Sequence, residues 1–251
     1  MFSKQACRWW NCLLFLALIA INIFAEAIPL GSGRTGELSE RYLTLLTPAG
    51  YAFAIWIVIY ILLGCAVVYL FRRKDADKPW GRMFTLWFAL SCLFNAGWLA
   101  LWHYESLIPS FAAIVLLLVS LAMIYRYSRE ILHPTRGETW FLRIPFSLYF
   151  GWVFTASLIN LQVILQHSRL RVSLPQPETA IILLIIGAIA MMLVGNRTRD
   201  GLLPLPTAWG YIAVAVKHSD RHELMFAAWL AAAVLLIYSL ALLFFRARER
   251  D

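Results

Sequence analysis

One feature constrains this chain of 251 residues more than any other: long apolar runs recur along it, separated by short polar connections. Seven are plain, at about 9–28, 51–71, 83–102, 107–125, 144–165, 179–195 and 223–245. An eighth, 202–216, is shorter and carries Pro204 and Pro206 near its start. A hydrocarbon core about 30 Å thick needs roughly 20 apolar residues per helical crossing. Inside it every backbone N–H and C=O must be satisfied within the segment, so such runs fold as helices. Composition agrees: 61% of residues are hydrophobic and 14% charged, against roughly 45–50% and 25% in a soluble domain. The fold class predicted is all-α, a polytopic transmembrane helix bundle of about eight spans.

The eighth run would reach only about 22 Å at 1.5 Å per residue, so length alone leaves a re-entrant half-helix open. Charge placement favours a crossing. With eight crossings and the N-terminus inside, 16 of the 22 basic residues fall on the inner side. Only Arg34, Arg41, Arg169, Arg171, Lys217 and Arg221 fall outside. If 202–216 does not cross, Arg246, Arg248 and Arg250 move outside, against the preference of Lys and Arg for the cytoplasmic side. The expected location is therefore the cell membrane, multi-pass, with both termini cytoplasmic. The net charge of +8 is explained by topology, and no nucleic-acid partner is expected. Lys4 and Arg8 before an apolar stretch, then Ala25-Glu26-Ala27, resemble a cleavable signal. Asn11, Asn22 and Glu26 nevertheless share one helical face, which a disposable signal core does not need.

Little in the chain points to catalysis. Cys7, Cys12, Cys65 and Cys92 sit in or beside apolar runs without CxxC spacing and read as reduced, buried hydrophobes. No GxxxxGK, HExxH or GxSxG motif is present. His218 and His222 have a metal-compatible spacing, but with Asp220 and Arg221 between them they read as a solvated turn. The chain is expected not to be an enzyme and to require no cofactor. The segment 29–50, rich in Gly, Ser, Thr and Glu, is the longest outside connection and reads as a lid or binding loop.

The unusual content is aromatic: 11 Trp, 10 Tyr and 16 Phe. Trp9, Trp10, Trp80 and Trp140 flank inner span ends, as an interfacial belt requires. The other Trp lie within spans. At 100° per residue, Phe53, Trp56, Tyr60 and Gly64 fall within about 80° on the second span. Trp87, Ser91, Asn95, Trp98 and Trp102 do so on the third, and Tyr149, Trp152, Ala156 and Asn160 on the fifth. An Asn facing lipid would be costly, so these stripes should face inward. Depth along the spans puts Trp56, Tyr60, Asn95, Trp98, Trp152 and Asn160 in the outer half of the membrane. Aromatic walls with a few amides suit a flat amphipathic ligand; the same residues also serve as helix packing with interhelical Asn bonds.

Pro48-Ala49-Gly50-Tyr51 with Phe53, Trp56, Tyr60 and Gly64 resembles the second-helix signature PPGW-x-F, W-x3-Y-x3-G of the tryptophan-rich sensory protein family (TspO/MBR, the translocator protein or peripheral benzodiazepine receptor). Asn95-Ala-Gly-Trp98 resembles its N-x-x-W, and Trp152-x7-Asn160 its fifth-helix W-x7-N. Tyr51 stands where the family has Trp, and Leu148 where a Pro is usual. The resemblance implies a TspO-like five-helix membrane core over residues 1–174. Residues 175–251 would form a C-terminal membrane extension of about three spans. It further implies ligand-binding roles for Trp56, Tyr60, Asn95, Trp98, Trp152 and Asn160, a porphyrin, sterol or lipid as ligand, a tetrapyrrole as the bound molecule, and a homodimer. The reading is a sensor or regulator in the membrane that binds such a ligand; a transporter of it, or an enzyme that degrades bound porphyrin, are the alternatives.

Overall fold

A computed structural model of the chain describes residues 4–27, 33, 35–72, 79–167 and 176–248. Every regular element among them is helical: α1 Lys4–Ala27, α2 Thr35–Arg41, a 3₁₀ turn Gly50–Ala54, α3 Ile55–Arg72, α4 Pro79–His103, α5 Leu107–Arg129, α6 Arg136–Glu138, α7 Ile144–His167, α8 Gln176–Thr198, α9 Leu205–Lys217 and α10 His222–Arg248. Six stretches are long and apolar enough to cross a membrane: Gly50–Arg72, Met83–His103, Leu107–Arg129, Arg136–His167, Pro177–Thr198 and His222–Phe244. With α1, whose apolar part is Trp9–Ala25, and the 13-residue α9, they account for all eight apolar runs. The protein is a polytopic helical membrane bundle.

The connection before the fifth run is not the solvated loop that its charges suggest. Helix begins at Arg136, because Thr135 and Glu138 form a reciprocal capping box, which satisfies two otherwise orphaned N–H groups. A single π turn, Thr139–Arg143, joins this start to α7. Arg143 is buried, and its guanidinium donates to Ser128 O at 3.2 Å and Ile131 O at 2.6 Å. The positive charge there closes the α5 exit by bonding backbone carbonyls instead of facing water.

By packing, the chain forms two compact units. The first holds residues 1–38 and 56–146, the second 39–55 and 147–251. These units describe packing; the division at 174/175 expected above describes how far a family's five-helix unit extends.

In the first unit α4 and α5 form a helical hairpin. Its turn is a Schellman motif, with Ser106 N–H donating to Leu101 O at 2.9 Å and Glu105 N–H to Trp102 O at 3.0 Å. Glu105 takes φ 55°, a left-handed conformation usually given to Gly. α1 lies against α3, with Trp9 edge-on to Phe71 at 5.0 Å and Phe15 over Gly64. Phe84 and Phe88 of α4 both meet Phe146 edge-on, at 4.9 and 6.2 Å.

In the second unit α8 ends in another Schellman motif, with Arg199 at φ 49°. The buried Asp200 carboxylate then accepts from Ser147 Oγ at 2.7 Å and Leu202 N–H at 3.1 Å. The turn leading into α9 lies so close to α7 that a Cβ on Gly151 would collide with Leu203 O. Thr155 and Thr207 Oγ1 are 2.9 Å apart across the same contact. Tyr211 OH reaches Leu184 O at 3.0 Å, and Tyr238 OH reaches Met192 O at 2.7 Å.

Residues 39–55 belong to the second unit as a strap. Leu46 N–H donates to Gln162 Oε1 at 2.7 Å, Ala49 N–H to Ala213 O at 3.0 Å, and Trp209 Nε1 to Ala52 O at 3.1 Å. His218 Nε2 donates to Thr47 O at 3.1 Å. His218 is therefore buried and committed to the strap, which corrects its reading as part of a solvated turn. The expected lid splits accordingly: residues 39–50 are bonded down, while Gly31 and its neighbours 28–32 lie outside the described residues.

Candidate functional site

Trp56 and Tyr60 are one turn apart on α3, so their side chains share a face. Their rings stack at 5.4 Å and 20°. Trp56 also meets Trp98 of α4 at 5.9 Å and 30°. Rings at these separations gain from offset or tilted contact beyond the area they bury. Trp98 is buried, whereas Trp56 and Tyr60 are partly exposed.

A chain of polar groups backs this cluster. Tyr60 OH donates to Asn22 Oδ1 at 2.8 Å. Asn22 Nδ2 donates to Asn95 Oδ1 at 3.4 Å and to Leu18 O at 2.9 Å. Asn95 is fully buried. One amide on α1 thus ties α3 to α4 and satisfies groups that lipid could not. Lower on the same α1 face, Asn11 Nδ2 reaches Thr85 Oγ1 at 3.4 Å.

Four of the six predicted site residues, Trp56, Tyr60, Asn95 and Trp98, are therefore brought together in the first unit. Trp152 and Asn160 are on α7 in the second. Trp152 is buried, and its ring lies over Gly210 of α9, where a Cβ would stand 3.6 Å from it. Asn160 Nδ2 donates to Ala156 O at 2.9 Å within its own helix. Asn22 is the site residue that motif reasoning left out. Its signal was present in the polar stripe of the first span, which lacked only a partner. The Glu26 side chain of that stripe lies outside the described residues.

Chemically, the cluster offers an aromatic face and amide hydrogen bonds. Among its described residues the only titratable side chain is the Tyr60 phenol. No group of three His, Cys, Asp or Glu side chains able to hold a metal ion occurs among the described residues.

The fold and this cluster define a polytopic helical membrane protein with an intramembrane aromatic–amide centre. The model of the TSPO-like protein family matches residues 8–241. The chain belongs to that family, and the match runs through nearly all of it, the C-terminal helices included. No curated protein and no solved structure matches the chain.

Proposed function

We propose that this protein is a ligand-binding sensor or regulator in the cell membrane, and that its ligand is a flat amphipathic molecule such as a tetrapyrrole or sterol. The observation that carries the reading is the Trp56 ring set between Tyr60 and Trp98, with the Asn22 and Asn95 amides bonded alongside. A planar ligand displaces ring–ring contact for ring–ligand contact at little cost, and the amides exchange partners with its polar edge. Binding alone needs no acid or base. Trp152 and Asn160 enter the reading through the family resemblance.

The test is direct titration of purified protein with protoporphyrin IX and cholesterol. Tetrapyrrole binding should quench tryptophan fluorescence. Trp98→Leu should weaken it roughly 2- to 13-fold, the worth of one aromatic contact, while Trp140→Leu, on an exposed side chain, should leave affinity unchanged. Equal affinities across these proteins would end the reading. Trp152→Leu belongs in the same series: lost affinity supports its role as a ligand contact, and lost thermal stability alone assigns it to packing. Flux into proteoliposomes would favour transport over sensing, and products formed in the dark would favour an enzyme. The proposed orientation has both termini cytoplasmic; a reporter fused after Asp251 should behave so.

A further inference from the structure

The C-terminal turn of α7 carries an amide cluster that the aromatic site does not use. Gln162 is fully buried. Its Oε1 accepts from Leu46 N–H at 2.7 Å, but its Nε2 has no hydrogen-bond partner among the described residues. One turn further on, Gln166 has both Nε2 and Oε1 shut away from solvent and both without a partner among the described residues. Residues four apart share a helix face. Three polar atoms are thus orphaned on one face within one turn, although their sequence neighbours Leu161, Val163, Ile164 and Leu165 are apolar. Buried amides are almost always satisfied, because an unmet donor or acceptor retains its full desolvation cost. A Leu at either position would avoid that cost, so the pair calls for an occupant.

The donor and acceptor pattern identifies its class. Gln166 presents an N–H donor and a C=O acceptor side by side, and Gln162 adds a second donor. The complement has an acceptor and a donor side by side, with a further lone pair to spare. A carboxamide meets this pattern. A carboxylate, an ester or an ether has only acceptors and would leave Gln166 Oε1 unmet. We propose that Gln162 and Gln166 form a binding site for the amide group of an amphipathic molecule. The helix is membrane-spanning, so the rest of that molecule is apolar. Leu46, donated by the strap, closes one side by fixing the Gln162 amide through its carbonyl. The site rests on second-unit residues alone and goes beyond the aromatic reading; it stands or falls independently of tetrapyrrole binding.

The chain has four Gln, at 5, 162, 166 and 176, so selective ¹⁵N-Gln labelling gives a simple side-chain spectrum. Full-length protein in detergent would be titrated with oleamide, oleyl alcohol and methyl oleate, which share one tail. Oleamide should bind roughly 2- to 13-fold tighter than methyl oleate, the worth of the one added hydrogen bond from its N–H to Gln166 Oε1. It should shift the amide signals of Gln162 and Gln166 and leave those of Gln5 and Gln176 in place. Gln166→Met should abolish the preference while unfolding at a temperature near that of the parent. If Gln166→Met does not fold, Gln166→Ser, whose short hydroxyl can bond its own helix backbone and cannot replace the amide, should likewise lose the preference. Butyramide, which has no tail, names the source: binding as tight as oleamide points to a free solute amide, much weaker binding to a lipid-like one. Equal affinity for the three tailed probes, or an oleamide preference that survives in the variant, would mean that the amides hold water and would overturn the proposal.

Discussion

The two units hold their helices together by different chemistry. In the first, the polar contacts that α1 makes across helices run from side chain to side chain: Tyr60 to Asn22, Asn22 to Asn95, Asn11 to Thr85. In the second, many run from side chain to backbone or between backbones: His218 to Thr47 O, Trp209 to Ala52 O, Tyr211 to Leu184 O, Ala49 N–H to Ala213 O. Glycines there also let helices approach closely, at Gly151, Gly187 and Gly210. A side-chain amide can rotate and trade partners with a ligand. A backbone carbonyl cannot move without its helix. Around Asn22 the first unit thus holds polar contacts able to exchange partners, whereas the bonds of the strap and the close contacts of Gly151 and Gly210 in the second are fixed.

The largest effect should come from breaking the fixed packing. Gly151→Val puts a branched side chain where Leu203 O and the Pro206 ring already stand. A backbone carbonyl cannot give way as a flexible side chain can, so overpacking should cost about 3 kcal/mol or more. Thermal unfolding in detergent should fall accordingly, and any ligand affinity at the Trp56 cluster should stay the same per folded molecule. A variant as stable as the parent would mean that α7 and α9 can separate freely, and the contrast between the units would fail.

Breaking the adaptable network should cost less. Asn22→Leu takes an acceptor from Tyr60 OH and a donor from Asn95 Oδ1 and Leu18 O. Each loss of a buried partner is worth about 1–3 kcal/mol, and rotation of the remaining amide should recover part of it. The expected result is a fall in stability smaller than that of Gly151→Val, together with weaker tetrapyrrole binding measured on the same sample. An effect on stability alone would make Asn22 an interhelical tie and nothing more.

The same contrast explains what could be read from the residues beforehand. The eight apolar runs and the all-helical class follow from hydropathy, because a membrane permits no other solution for such segments. Trp56, Tyr60, Asn95 and Trp98 were legible as a group because a helical period projects onto a face, and faces that carry Asn must turn inward. Asn22 was half-legible: its stripe could be seen, but not that Tyr60 and Asn95 would meet it from two other helices. The strap was not legible at all. Nothing in Thr47, Ala49 or Ala52 marks its backbone as a partner, since every residue carries the same amide. His218 was misread for this reason: its acceptor is a carbonyl 171 positions away in sequence.

His218 offers a finer test of the strap. Burial holds its imidazole below the ordinary 6.5, opposed by the Thr47 carbonyl bond and by Asp220, with Arg221 and Lys217 pushing further down. The folded protein therefore carries fewer protons at this site than the unfolded chain just below pH 6.5. The stabilisation is complete above that pH and is lost as pH falls through the lowered folded value. Unfolding temperature should drop between pH 7.5 and pH 5, and His218→Phe should flatten that part of the profile. An unchanged profile in the variant would put the acid sensitivity elsewhere.

The smallest effect should come from an exposed charge contact on the strap. Lys217 Nζ lies 2.6 Å from Glu40 Oε2, with the two side chains 30% and 46% exposed. Water screens a pair this accessible, and holding two long side chains in one geometry costs entropy, so it should be worth about 0–1 kcal/mol. The strap's hold would then rest on the buried bonds at Thr47, Ala49 and Ala52, which salt cannot reach. Lys217→Gln should lower stability by less than about 1 kcal/mol at low ionic strength, and the difference should vanish near 1 M salt, where the Debye length is about 3 Å. His218→Phe, measured beside it at pH 7.5, should cost more and should not respond to salt. A salt-sensitive loss from Lys217→Gln as large as that from His218→Phe would show a strap held by charge, and the second unit would no longer be the fixed member of the pair.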